Sequence, residues 1–152
     1  MTVIVGIDPG LKGAIVRLEG DHLTGIWDMP TIEVRGKNRV DPYVLRNALI
    51  TAGPVDLVIV EEVQGVQGSG ATGAFSFGYG AGILNGLLVA LDRPHQYVRP
   101  QAWTKALGVS RDKGSHRQMA MRLFPSQADS FQRVMDDGRA DAALLAYYGS
   151  RV

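Results

Sequence analysis

Cysteine is absent from the 152-residue chain, which excludes disulfide staples and thiolate-bound zinc and fits a reducing, intracellular setting, the cytoplasm first among them. Histidine occurs only as His22, His95 and His116. These lack paired spacing, so an imidazole-rich metal site is disfavoured and each is read as a surface residue. Aromatic residues make up 7% of the chain, too few for a base-stacking platform. No basic segment followed by an apolar run opens the chain: Asp8, Glu19, Asp21 and Asp28 interrupt it, and no signal or transit peptide is legible. The uncharged stretch over residues 63–91 is diluted by glycine, serine, asparagine and glutamine, so no membrane partner is expected.

The length fits one compact domain over residues 1–152 with a single core. The formal net charge of +1 hides an uneven distribution. Arg93, Arg99, Lys105, Arg111, Lys113, Arg117, Arg122, Arg133 and Arg139 crowd the later part, as a polyanion-binding surface or a solvated basic helix face would require.

Short β-branched runs at residues 3–7, 13–18 and 22–29, separated by turn residues, predict a three-strand meander. The polar stretch 30–40, with Arg35, Lys37 and Arg39 around Gly36, reads as a mobile loop. Asp41-Pro42 then supplies an N-cap and first-turn proline, and Gly53-Pro54 closes that helix. An apolar strand at 55–60, a glycine-rich connection over 65–73, a long helix over 74–91 and a short strand at 96–98 follow. Helices at 100–107, 113–124 and 138–148 complete the chain, without internal repeats. This order predicts an α/β fold: a mixed five-stranded sheet with helices on both faces, whose parallel strands need crossover connections. Ligands in such sheets bind beyond the strand carboxyl ends.

Asp8 and Glu61 are predicted at two such ends. Asp8 alone would suit a tight turn with Pro9 and Gly10. Glu61 ends a run of Val58, Ile59 and Val60, where an unpaired carboxylate is costly and a cation or basic side chain must compensate. Alternation sends Glu61 and Glu62 to opposite faces without choosing between them. Asp137 and Asp141 share a helix face, whereas Asp136 lies about 140° from Asp141, which favours Asp137 over Asp136 and leaves the choice between them open. Helix capping is the competing role for these aspartates, although the apolar run Ala140 to Ala146 leaves Asp141 in need of a partner. Carboxylates brought together from such distant points suit two divalent cations about 4 Å apart that stabilise the attacking and leaving oxygens of a phosphodiester displacement. An oxygen-only donor set favours Mg2+ or Mn2+.

Together, Gly6-Ile7-Asp8-Pro9-Gly10, Val58-Ile59-Val60-Glu61, Ser110-Arg111-Asp112-Lys113 and Gly138-Arg139-Ala140-Asp141-Ala142 resemble the RuvC group of Holliday-junction resolvases across almost the whole chain. The segments Phe75-Ser76-Phe77-Gly78-Tyr79-Gly80 and Pro100-Gln101-Ala102-Trp103 are most similar to its phage and chloroplast branch. The resemblance implies a ribonuclease H-like fold, a homodimer, and paired symmetrical nicks across a four-way DNA junction with two magnesium ions per site. It implies Asp8, Glu61, Asp137 and Asp141 as metal ligands, thereby choosing Glu61 over Glu62, and Lys105 and Lys113 as catalytic lysines near the scissile phosphate. Lys12, Arg35, Lys37, Arg39, Arg111 and Lys113 are the corresponding DNA-contact candidates. The chain departs from the bacterial branch after the strand glutamate, where Val63-Gln64-Gly65-Val66-Gln67 carries no phenylalanine to open the junction.

Gly78, Gly82 and Gly86 recur every four residues on one helix face, for close packing either on the sheet or on the same helix of a second subunit. The expected activity is that of a crossover-junction endodeoxyribonuclease, with forks and flaps as neighbouring substrates. The alternative is a non-catalytic nucleic-acid-binding or RNA-processing accessory protein on the same fold.

Overall fold

Valine, isoleucine and leucine dominate the early strands, and a turn residue stands at each reversal. In the computed structural model, which describes residues 1–63 and 70–152, β1 (Val3–Asp8), β2 (Ala14–Glu19) and β3 (His22–Asp28) form the expected antiparallel meander. The stretch read as a mobile loop is instead a hairpin of β4 (Thr31–Val34) and β5 (Lys37–Val40). Arg35 and Gly36 occupy its tip with φ of 51° and 77°. Two successive positive φ values match the twist of a two-residue hairpin turn. A non-glycine residue at one of them concealed that turn in the sequence.

Helix α1 (Pro42–Thr51) begins as expected, with the Asp41 carboxylate accepting the Tyr43 and Val44 amides at 3.0 and 3.2 Å. It leads to β6 (Leu57–Glu61), α2 (Gly70–Ala90), β7 (His95–Val98), α3 (Pro100–Leu107) and α4 (Lys113–Leu123). Two 3-10 turns, Pro125–Phe131 and Val134–Asp136, then precede α5 (Asp137–Gly149). Helix α2 starts earlier than the glycine content suggested, with Gly73 already helical; Gly65 and Gly68 lie outside the described residues. By length and composition it is also apolar enough to cross a membrane, a measure that helices of soluble proteins meet too, so the expected dilution does not hold within the helix itself. The glutamines counted as diluting that stretch precede Gly70.

The sheet order is β3-β2-β1-β6-β7, with β6 parallel to both β1 and β7. One face packs against α5, with Trp103 of α3 and Ala120 of α4 in the same core. The other carries α1 and α2 over Val5, Ile7, Val58 and Val60. The expected mixed five-stranded sheet with helices on both faces is therefore present, with the β4–β5 hairpin as an addition.

Helix α5 lies against β1 because Gly6 has no side chain. A Cβ there would collide with the Ala142 carbonyl and stand 2.5 Å from the Ala146 amide nitrogen. Gly138 makes the equivalent approach to the turn between β1 and β2, where a Cβ would strike the Lys12 carbonyl. These two close approaches set the height of α5 above the strand ends, and with it the position of Asp141.

Candidate functional site

Asp8 and Glu61 end neighbouring parallel strands whose register pairs Ile7 with Val60. Adjacent strands run about 4.8 Å apart, so the two carboxylates emerge side by side at the carboxyl ends of two central strands. Asp141 reaches them from α5 and is 0% exposed. Lys113, at the start of α4, forms an ion pair with Asp141 Oδ2.

His116 holds the other oxygen of Asp141, Nδ1 to Oδ1 at 2.7 Å, while its Nε2 stands 2.6 Å from the Ser110 carbonyl. A carbonyl only accepts, so Nε2 donates to it; Nδ1 then donates to Asp141 as well only when the ring is an imidazolium. The direction of the His116 pKa agrees: burial pulls it down, but the Asp141 hydrogen bond and charge, with the Ser110 carbonyl, raise it overall. Trp103 stacks edge-on against His116, centroids 5.2 Å apart, and its indole N–H donates to Glu61 Oε2 at 2.8 Å. Glu61 and Asp141 are thus oriented by two touching rings beneath the site.

Charge crowding is visible in the acid–base balance. Burial, then the charges of Asp141 and Glu61, push the Asp8 carboxyl from 3.8 up to about 7, against opposing effects from the Gly10 amide and Lys113. Glu61 is likewise raised, chiefly by burial, with the Trp103 hydrogen bond acting against it. Burial lowers the Lys113 pKa, yet attraction to Asp141, Asp8 and Glu61 leaves it raised. Lys113 therefore stands as the positive charge shared by three carboxylates.

Asp137 opens α5 and lines the same cleft as Asp8 and Lys113, a space of about 810 Å³. Its carboxylate is paired with Arg117. Asp136 is not among the residues lining the cleft and is 1% exposed. Its carboxylate binds the Arg133 guanidinium at 2.8 Å and lies 3.7 Å from that of Arg139. Glu62 points elsewhere, to Arg99 at 3.3 Å. The four proposed ligands supply only oxygen donors, the chemistry of a hard divalent cation. Among the described residues, however, no three acidic or histidine side chains stand in ligating geometry; Asp141 and Asp137 engage basic partners instead.

The other sequence candidates lie farther out. Lys105 is exposed on α3, and Arg111 is exposed ahead of α4. Lys12 lines the cleft beside Lys113. Arg35 and Lys37 sit exposed at the hairpin tip, whereas Arg39 lies over the Phe75 and Tyr79 rings at 5.6 and 5.2 Å. Those two rings are stacked 6.0 Å apart, a local aromatic cluster that the overall composition did not reveal. His116 is 3% exposed, correcting its reading as a surface residue. Neither it nor Trp103 was singled out as a site residue. The signal available was His116 one turn beyond Lys113 on a helix face, which gains meaning only once Asp141 is placed opposite.

No protein-family model matches the chain, and no curated protein does. Solved structures do. Thermus thermophilus RuvC in complex with a Holliday junction substrate aligns over 99% of this chain and 96% of its own, at 15% identity and a TM-score of 0.70. A second Thermus thermophilus RuvC structure gives the same coverages at 19% identity and a TM-score of 0.64. The yeast mitochondrial Holliday junction resolvase Ydc2 aligns over 99% of this chain and 79% of its own, at 15% identity and a TM-score of 0.59. The sheet order, the helices on both faces and these superpositions agree: the chain has the RuvC-like form of the ribonuclease H fold.

Proposed function

We propose that this chain is a divalent-metal-dependent endonuclease that resolves four-way DNA junctions by paired nicks. The observation that carries this reading is that Glu61 and Asp141 lie close enough to Asp8 for their charges to raise its pKa, from a neighbouring strand end and a helix, on a fold shared with resolvases of which one is a junction complex. Asp8, Glu61, Asp137 and Asp141 would hold Mg2+ or Mn2+, ions that stabilise charge on the attacking and leaving oxygens of a phosphodiester. Trp103 and His116 each hold one oxygen of Glu61 and Asp141, which orients the two carboxylates. Lys113 neutralises the carboxylates when the protein is alone and offers its ammonium to the scissile phosphate when DNA enters. Lys12 grips the backbone at the cleft, and Arg35 and Lys37 reach a junction arm from the hairpin tip. Lys105 and Arg111, both exposed, would add further phosphate contacts.

A homodimer belongs to this reading. Gly78, Gly82 and Gly86 face open space rather than the sheet, since a Cβ at any of them meets nothing within 4 Å. Phe75, Tyr79 and Val89 are exposed on the same helix. An apolar, glycine-striped surface suits the same helix of a second copy, and a nearly two-fold symmetric junction needs two active sites.

The ion pairs Lys113–Asp141 and Arg117–Asp137 favour a second reading, a non-catalytic nucleic-acid-binding protein in which these carboxylates are structural. A labelled mobile four-way junction, tested beside matched fork and linear duplex with magnesium or EDTA, separates the two. Symmetrical magnesium-dependent nicks support the resolvase; tight junction binding without cleavage supports the accessory protein.

A further inference from the structure

Val134 and Met135 are each 73% exposed, side by side on the 3-10 turn before α5. Their exposure does not come from a loose segment. The buried Asp136 accepts the Arg133 amide at 2.9 Å and its guanidinium at 2.8 Å. Arg139, which flanks Asp136, also grips Asp28 at 2.7 and 2.9 Å. A buried carboxylate and two arginines hold the turn in a form that presents two large apolar side chains to solvent.

Both side chains line the cleft that contains Asp8 and Asp137, and Leu11 faces it from the turn between β1 and β2. Lys12 and Lys113 line the cleft as well. One cavity therefore joins an acidic centre, two cations and an apolar shoulder, within the ~300–1,000 Å³ range of ligand sites. A nucleotide has the matching parts: an anionic phosphate and a flat, weakly hydrated base. Apolar side chains such as methionine are known to wedge between base steps and unstack them.

We propose that Val134 and Met135, with Leu11, seat an unstacked base of the strand whose phosphate lies at Asp8 and Lys113, an assignment that rests on the nuclease reading above. The seat explains why a turn beside a phosphate-binding site is armed with apolar rather than basic residues. It holds the strand by its base while the lysines hold it by its backbone.

The test uses the double variant V134S/M135S, whose changed side chains are exposed and leave the Asp136 network intact. A four-way junction carries 2-aminopurine at successive positions around the branch point, with calcium in place of magnesium so that binding is read without cleavage. Wild-type protein is expected to raise fluorescence several-fold at one position, and the double variant to lose most of that signal. With magnesium, an abasic site at that position should slow the wild type roughly ten-fold, the scale of one lost stacking contact, and leave the variant's already reduced rate unchanged. Equal fluorescence in both proteins, or equal sensitivity to the abasic site, overturns the seat. A variant that changes sedimentation instead of fluorescence also overturns it, because the patch then joins copies of the chain. Junction cleavage by the wild type without any fluorescence response defeats this inference alone; binding with a fluorescence response but without cleavage defeats the nuclease reading and keeps the base seat.

Discussion

Replacing Asp8 with asparagine should stabilise the metal-free protein at the same time as it abolishes cleavage. Burial and the neighbouring Asp141 and Glu61 raise the Asp8 carboxyl from 3.8 to about 7. Between those values the folded protein retains a proton that the unfolded chain has released. The unfolded state then binds fewer protons, so the Asp8 contribution to stability falls as pH rises through this window. At about 1.36 kcal/mol per pH unit, the full span is about 4 kcal/mol. Solvent reaching the partly buried carboxyl reduces the expressed effect to about 2 kcal/mol. Asp8→Asn never ionises and escapes the penalty. In EDTA near pH 8 it should melt about 4–8 °C above the wild type, the shift that ~2 kcal/mol produces in a chain of this size. Near pH 4, where the wild-type carboxyl is also neutral, the difference should vanish. Magnesium should narrow or reverse the order at pH 8, because binding to the folded state stabilises only the protein that keeps its ligand. Thermal or urea unfolding from about pH 4 to 8, in EDTA and in magnesium, makes the comparison. A wild type as stable as Asp8→Asn at pH 8 in EDTA would falsify the claim that these carboxylates are held together against their repulsion.

Further variants probe the rest of the site. Trp103→Phe keeps the ring but removes the donor to Glu61, so calorimetric Mn2+ affinity should fall about ten-fold, as expected for one hydrogen bond to a charged group; unchanged affinity would show that the indole N–H does not position Glu61. Asp136→Asn should cost about 2 kcal/mol of stability by loosening Arg133 and Arg139, whereas Asp137→Asn should remove most cleavage at little cost in urea unfolding; the opposite pattern would exchange their roles. Gly6→Ala should destabilise by about 3 kcal/mol, since its methyl meets the α5 backbone and not a flexible side chain; a wild-type urea midpoint would contradict the close approach. Gly82→Leu should convert a dimer into a folded monomer that loses bilateral cleavage, and sedimentation of an intact dimer would remove α2 from the interface.

The alternation of apolar and turn residues was enough to place the meander, the β6 and β7 strands and every long helix, because a strand's period of two and a helix's of 3.6 are local properties. The same locality carried Asp8 and Glu61 to strand ends and Asp137 and Asp141 to one helix face. It failed where a conformation was locally disguised. The β4–β5 hairpin turns on an arginine at positive φ.

Partnership was a matter for tertiary structure. Glu61 and Glu62 are equivalent in sequence, but α3 brings Trp103 to one and the surface gives Arg99 to the other. Asp136 and Asp137 are adjacent, yet one is buried under arginines and the other opens on the cleft. His116 became part of the site only when α4 packed on α5 and set it against Asp141. The chain's periodicities determine which elements form and which face each residue takes. Which charges end up sharing a few ångströms depends on how α5 settles over Gly6, a contact between residues far apart in the chain whose energy no local pattern records.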